Sequence, residues 1–129
     1  MKRNKIKTAR NRAEKEGDIV KAILDYLAYK KITAWRNQSG ARFGYHTDKD
    51  GNRKQWAIRM SKKGVSDIIG IMPDGSGRIL CLEVKTPKGK LTEEQALFLG
   101  EVVEKGGVAE VVRSIEDVQL LLQQALQEL

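Results

Sequence analysis

Two apolar runs separated by a short cluster of turn formers constrain this chain more than any other feature. The first run is Gly64-Val65-Ser66-Asp67-Ile68-Ile69-Gly70-Ile71-Met72, and the second is Ile79-Leu80-Cys81-Leu82, closed by Glu83-Val84-Lys85. Between them lies Pro73-Asp74-Gly75-Ser76-Gly77, which predicts an antiparallel hairpin. A turn centred on Gly75 pairs Asp67 with Glu83, with Cβ atoms roughly 5 Å apart. A slip of two positions sets Asp67 beside Lys85 or Cys81 instead. In every register the two acids and the lysine converge.

Side chains alternate along a strand, so Glu83 and Lys85 share one face and Val84 points to the other. Charged groups closing a hydrophobic strand are costly to bury unless they are paired or bind a metal. Two carboxylates and a lysine on one hairpin suit a divalent cation that assists phosphodiester hydrolysis. Asp74 falls in the turn, roughly 27 Å from Glu83 at strand rise, and is a turn residue.

The distribution of charge points to the same substrate class. The chain has 129 residues and a net charge of +7, but residues 1–63 carry +12 and residues 64–129 carry −5. A basic half predicts a polyanionic partner. The length predicts one domain, 14–129, preceded by a basic arm, 1–13, with six Lys/Arg and no acid. That arm either contacts phosphates non-specifically or is a solvated tail. No apolar stretch approaches the roughly 20 residues of a membrane span, and the basic N-terminus lacks the apolar segment of a secretory signal. The single cysteine, Cys81, is expected to be buried and inert, and the cytoplasm is the expected compartment.

Periodicity predicts the remaining elements. From about Glu14 to Lys30, Ile19, Val20, Ile23, Leu24 and Leu27 follow helical spacing. Glu16 falls on that apolar face, whereas Glu14, Asp18, Lys21 and Asp25 do not. Glu16 therefore either reaches a metal site or complements the helix dipole. Residues 32–36 predict a strand. Ala41–Thr47 and Arg53–Met60 flank a turn, Asp48–Asn52, and predict a hairpin or an irregular excursion. Asp48, Asp50 and Asn52 have a superficial likeness to a calcium loop, but the glycine is misplaced and Arg59 stands where the closing glutamate belongs. Thr92-Glu93-Glu94-Gln95 predicts a capping box opening a helix that stops at Gly106-Gly107. Val108–Arg113 predicts a strand, and Ser114 opens a last helix with Leu120, Leu121, Leu122, Ala125 and Leu129 on or near its apolar side. Trp35 and Trp56 are expected to pack, and His46 to have no catalytic role. The whole is an α/β sandwich around a small mixed sheet.

Gly64-Val-Ser-Asp67, Leu82-Glu83-Val-Lys85, Lys90-Leu-Thr-Glu-Glu-Gln95, Gly106-Gly-Val-Ala and Val111-Val112 together resemble a VRR-NUC domain. This is a branch of the PD-(D/E)xK nucleases, akin to Holliday-junction resolvases and the Fanconi-associated nuclease. The resemblance covers roughly Glu14 to Asp117 and also takes in Trp35-Arg36-Asn37 and Ser39-Gly40. The Tyr45–Trp56 excursion matches nothing in it. Pro73-Asp74 spells the family signature literally, yet Asp67 is the matching acid.

The resemblance implies a restriction-endonuclease-like fold and Mg²⁺ or Mn²⁺ held by Asp67, Glu83 and the Val84 backbone carbonyl. Lys85 would orient the attacking water or stabilise the transition state. Glu16 would serve a second metal, with Glu14 and Asp18 as rivals. Gln95 is a capping partner, an active-site glutamine, or both. Lys88 and Lys90 either clamp the scissile strand or solvate a turn; Arg36 and Arg42 are further candidate phosphate contacts. The expected activity is endonucleolytic cleavage of branched DNA by a homodimer. A flap or nicking nuclease and a non-catalytic DNA-binding module are the rival readings.

Overall fold

The computed structural model describes residues 15–38, 41–59 and 62–127. The basic arm, Glu14, Ser39-Gly40 and Leu129 lie outside the described residues. The elements, in order, are α1 (Glu16–Tyr29), β1 (Ala34–Arg36), β2 (Ala41–Thr47), β3 (Arg53–Arg59), β4 (Ile68–Ile71), β5 (Ile79–Val84), α2 (Glu93–Glu104), β6 (Val108–Val112) and α3 (Ile115–Gln127).

Four strands form one mixed sheet in the order β1-β4-β5-β6. The hairpin expected around Gly75 is present: Ile68 pairs with Leu82, Ile69 with Cys81, Gly70 with Leu80 and Ile71 with Ile79. Gly75 and Gly77 both have positive φ, which glycine adopts without a Cβ penalty. Asp74 belongs to this turn. It accepts from the Ser76 amide at 3.0 Å and from Arg78 at 2.7 Å, and those bonds hold its carboxyl well below the usual range. β5 and β6 run parallel, a connection that needs a crossover, which α2 supplies.

Helices cover both faces of this sheet. Ile19, Val20, Ile23 and Leu27 of α1 and Val118, Leu122 and Ala125 of α3 pack against Ile68, Leu80, Leu82 and Val84. On the opposite face Leu99 and Val102 of α2 pack with Cys81 and Ala109. The sandwich is thus the restriction-endonuclease-like α/β arrangement. β5 is buried along both faces from Leu80 to Val84, so only Glu83 breaks an apolar strand. Cys81 is fully buried, and burial pushes its thiol up to about 11.

Two expectations are corrected. Leu120 is 55% exposed; Val118, Leu122 and Ala125 form the inward face of α3, and Leu120, two residues from both Val118 and Leu122, falls on the opposite side of the helix. Trp35, on the short edge strand β1, is half exposed and does not fill the core.

β2 and β3 form a separate two-stranded ribbon, paired from Ala41–Arg59 to Thr47–Arg53. Its turn is organised by Asp48, whose Oδ1 accepts from the amides of Asp50 and Asn52, each at 2.9 Å. Those bonds hold the turn closed.

Candidate active site

Asp67 immediately precedes β4 and Glu83 is the penultimate residue of β5. The β4–β5 register, continued by one residue, sets them opposite each other. The Asp67 carboxylate reaches past the end of β4: its Oδ2 accepts from the Val84 N–H at 2.8 Å. In an extended strand the N–H and C=O of one residue lie along the same edge. The Val84 carbonyl therefore lies on the edge of β5 where Asp67 sits, while the next amide, Lys85, turns to Val112 at 3.0 Å on the other side. Asp67 is itself held through its backbone, since its carbonyl accepts from the Asn37 amide at 2.7 Å.

Glu83 is the electrostatic anomaly of the fold. It is 1% exposed, and its Oε2 is buried without a hydrogen-bond partner. Burial first, and the neighbouring Asp67 second, push its carboxyl up to about 7; Lys85 opposes the rise and Glu16 adds to it. The Lys85 ammonium stands 3.8 Å from Glu83 Oε1, with its side chain 12% exposed. A bare carboxylate buried with one orphaned oxygen is unfavourable as it stands. Hard oxygen donors of this kind are what Mg²⁺ and Mn²⁺ take, so the donor set fits a divalent cation. It is not a closed cage: among the described residues no three His, Cys, Asp or Glu side chains stand together as a metal-binding group.

Glu16 opens α1 and is close enough to act on Glu83 electrostatically. Asp18 turns back to the amide of Lys15 at 3.4 Å, which leaves Glu16 as the first-helix acid that senses the site among those described. Gln95 completes the predicted capping box. Its Oε1 accepts from the Thr92 amide at 2.9 Å, and its own amide donates to Thr92 Oγ1 at 3.1 Å. Lys88 and Lys90 are exposed on the loop after Lys85, and Arg36 is exposed on β1 opposite Ile68. Arg42 lies on β2, away from the four-stranded sheet.

Sequence reasoning missed Arg113. From the end of β6 its Nη1 donates to the carbonyls of Thr86 at 2.6 Å and Gly89 at 2.7 Å. One guanidinium thus pins the loop that follows Lys85 and carries Lys88. A lone arginine after a strand gives no sequence signal for that contact.

The sequence matches the family model of the VRR-NUC domain over residues 14–116. The chain belongs to the VRR-NUC family. No curated protein matches it. A VRR-NUC domain is a PD-(D/E)xK-like nuclease domain, so the family implies nuclease activity with DNA as its substrate, and nucleases of this kind usually use divalent metals. No helix among the described residues is long and apolar enough to cross a membrane.

Proposed function

We propose that this VRR-NUC chain is a Mg²⁺- or Mn²⁺-dependent endodeoxyribonuclease that cleaves branched DNA in the manner of a Holliday-junction resolvase. The observation that carries this reading is the buried, half-unpartnered Glu83 carboxylate set across from Asp67. Asp67, Glu83 and the Val84 carbonyl would hold the cation, with Glu16 at its periphery. When bound, the metal would supply Lewis-acid polarisation and charge neutralisation at the scissile phosphate.

The chain's own residues do the rest. The Val84 N–H fixes one Asp67 oxygen, which orients the carboxylate. Glu83, held in a dry setting, gives an electrostatic field little weakened by solvent. Lys85 presents a donor between the carboxylates and solvent, where it orients the attacking water or meets charge developing on the phosphate. Gln95 closes the first turn of α2, and Lys88, Lys90 and Arg36 supply phosphate contacts around the cut.

Branched DNA is favoured because no separate base-reading module stands among the described residues, so shape is the feature they are suited to recognise. A homodimer would place two sites on two strands of a two-fold junction. The test is cleavage of four-way junctions, flaps, nicked and plain duplexes side by side in Mg²⁺ and in Mn²⁺, with Lys85→Ala as control. Preferential, chelator-sensitive cutting of junctions is expected. Preference for flaps or nicks would move the assignment within the same chemistry. Tight DNA binding with no cleavage in either metal would make the chain a binding module.

A further inference from the structure

The β2–β3 ribbon is not absorbed by this mechanism. An isolated two-stranded ribbon is marginal in water, and this one exposes large apolar groups: Phe43 is 64%, Tyr45 58% and Ile58 58% exposed. By register Phe43 and Tyr45 share one face with Gln55 and Arg53, and the Arg53 guanidinium lies 4.3 Å from the Tyr45 ring centre. On the other face the Trp56 indole lies flat across Gly44, where an added Cβ would meet the ring at 2.2 Å. Trp56 therefore stiffens the ribbon while Phe43 remains open and Tyr45, with Arg53 over one face of its ring, keeps the rest of the ring exposed.

Charge selects the occupant. The two strands hold Arg42, Arg53, Lys54 and Arg59 and no acid. The two acids lie in the turn, where Asp48 is occupied with the turn amides and with Lys54 at 3.6 Å. Cations interleaved with exposed rings match single-stranded nucleic acid, in which phosphates and unstacked bases are presented together. Position selects the substrate. The chain leaves the sheet after Arg36 and returns at Asp67, and the Asn37–Asp67 backbone bond ties its departure to the site. Strands of seven residues reach roughly 20 Å from that root.

We propose that the ribbon is a DNA-binding arm whose Phe43 and Tyr45 rings stack on unpaired bases beside the cleaved bond. The substrate class is then DNA with a splayed or single-stranded segment at its branch. This rests on the nuclease reading above.

The test measures affinity of the full chain, in chelator, for a labelled single strand, a splayed fork and a blunt duplex. Phe43→Ala/Tyr45→Ala is expected to lose roughly tenfold or more on the strand and fork, with little change on the blunt duplex. The Phe43→Tyr/Tyr45→Phe exchange retains binding. In a second measurement, a 2-aminopurine strand changes its emission on binding the wild-type chain, which does not depend on the variant folding. Equal loss on all three DNAs, no loss on any, unchanged emission, or a shift in sedimentation mass of the double Ala variant would each overturn the arm. The binding arms need no catalysis, so absence of cleavage in every metal would sink the nuclease reading while leaving the stacking result legible.

Discussion

The end of β5 and the β2–β3 ribbon break the same rule in opposite directions. At Glu83 a charge is buried where apolar side chains belong; on the ribbon, Phe43 and Tyr45 are exposed where polar ones belong. The chain leaves the sheet for the ribbon next to the site, where the Asn37 amide donates to the Asp67 carbonyl. Each departure is locally unfavourable, and under the two proposals above each would become favourable on binding: a cation in one case, bases in the other. Function in this chain is best sought where burial and polarity disagree.

The sharpest way to break the comparison is at the buried charge. Glu83→Gln is expected to reduce cleavage by about a thousandfold or more, read as single-turnover rate on the preferred branched DNA. The same variant should melt higher than wild type in chelator at pH 8, because it removes an ionised group from a dry site. The sign follows from the shift: Glu83 ionises near 7 in the folded chain, against an ordinary 4.5. Metal-free wild type should therefore be most stable below pH 4.5 as far as this group is concerned, and lose on the order of 3 kcal/mol as pH rises through 7. A flat difference between wild type and Glu83→Gln across that window would remove Glu83 from the anomaly.

Lys85→Ala comes next, with cleavage expected to fall about a hundredfold. It should also raise the apparent pKa of Glu83 further, because Lys85 now opposes its rise; a downward move on titration would contradict the pairing. Arg113→Ala strands the carbonyls of Thr86 and Gly89 and is expected to destabilise by about 1–3 kcal/mol, measured by urea unfolding. The smallest effect is on the ribbon. Gly44→Ala drives a methyl into Trp56, and faster amide exchange is expected in β2 and β3, with the exchange of β4 and β5 unchanged. Loosening of the whole sheet would deny the ribbon its independence.

Much of the frame was legible because its signals are local. The Gly75 turn, the continuous apolar run of β5 broken only by Glu83 and the Thr92–Gln95 box each occupy a few neighbouring residues, and register arithmetic carried Asp67 to Glu83. The ribbon was legible as a hairpin from its Asp-Gly turn, but its role was not, since exposure of Phe43 depends on what fails to pack against it. Arg113 was invisible because its partners lie 24 to 27 residues away in the chain. Helical spacing already set Glu16 on the inward face and Asp18 off it, and the electrostatic effect of Glu16 on Glu83 follows that placement.

The closed loop from Asn37 to Asp67 has a bearing on how such proteins change over time. Its ends meet across a single hydrogen bond, and Gly64, on the return path, lies so close to the Glu94 backbone that an added Cβ would sit 2.5 Å from the Glu94 carbonyl oxygen. The excursion is therefore anchored where it leaves and where it returns, and on the return path Lys62 and Lys63 add ion pairs to Glu101 at 3.8 Å and Glu94 at 3.1 Å. A lineage could lengthen, shorten or exchange that insert, and with the arm proposed above so alter which nucleic acids it recognises, without disturbing the carboxylates next to which it is planted.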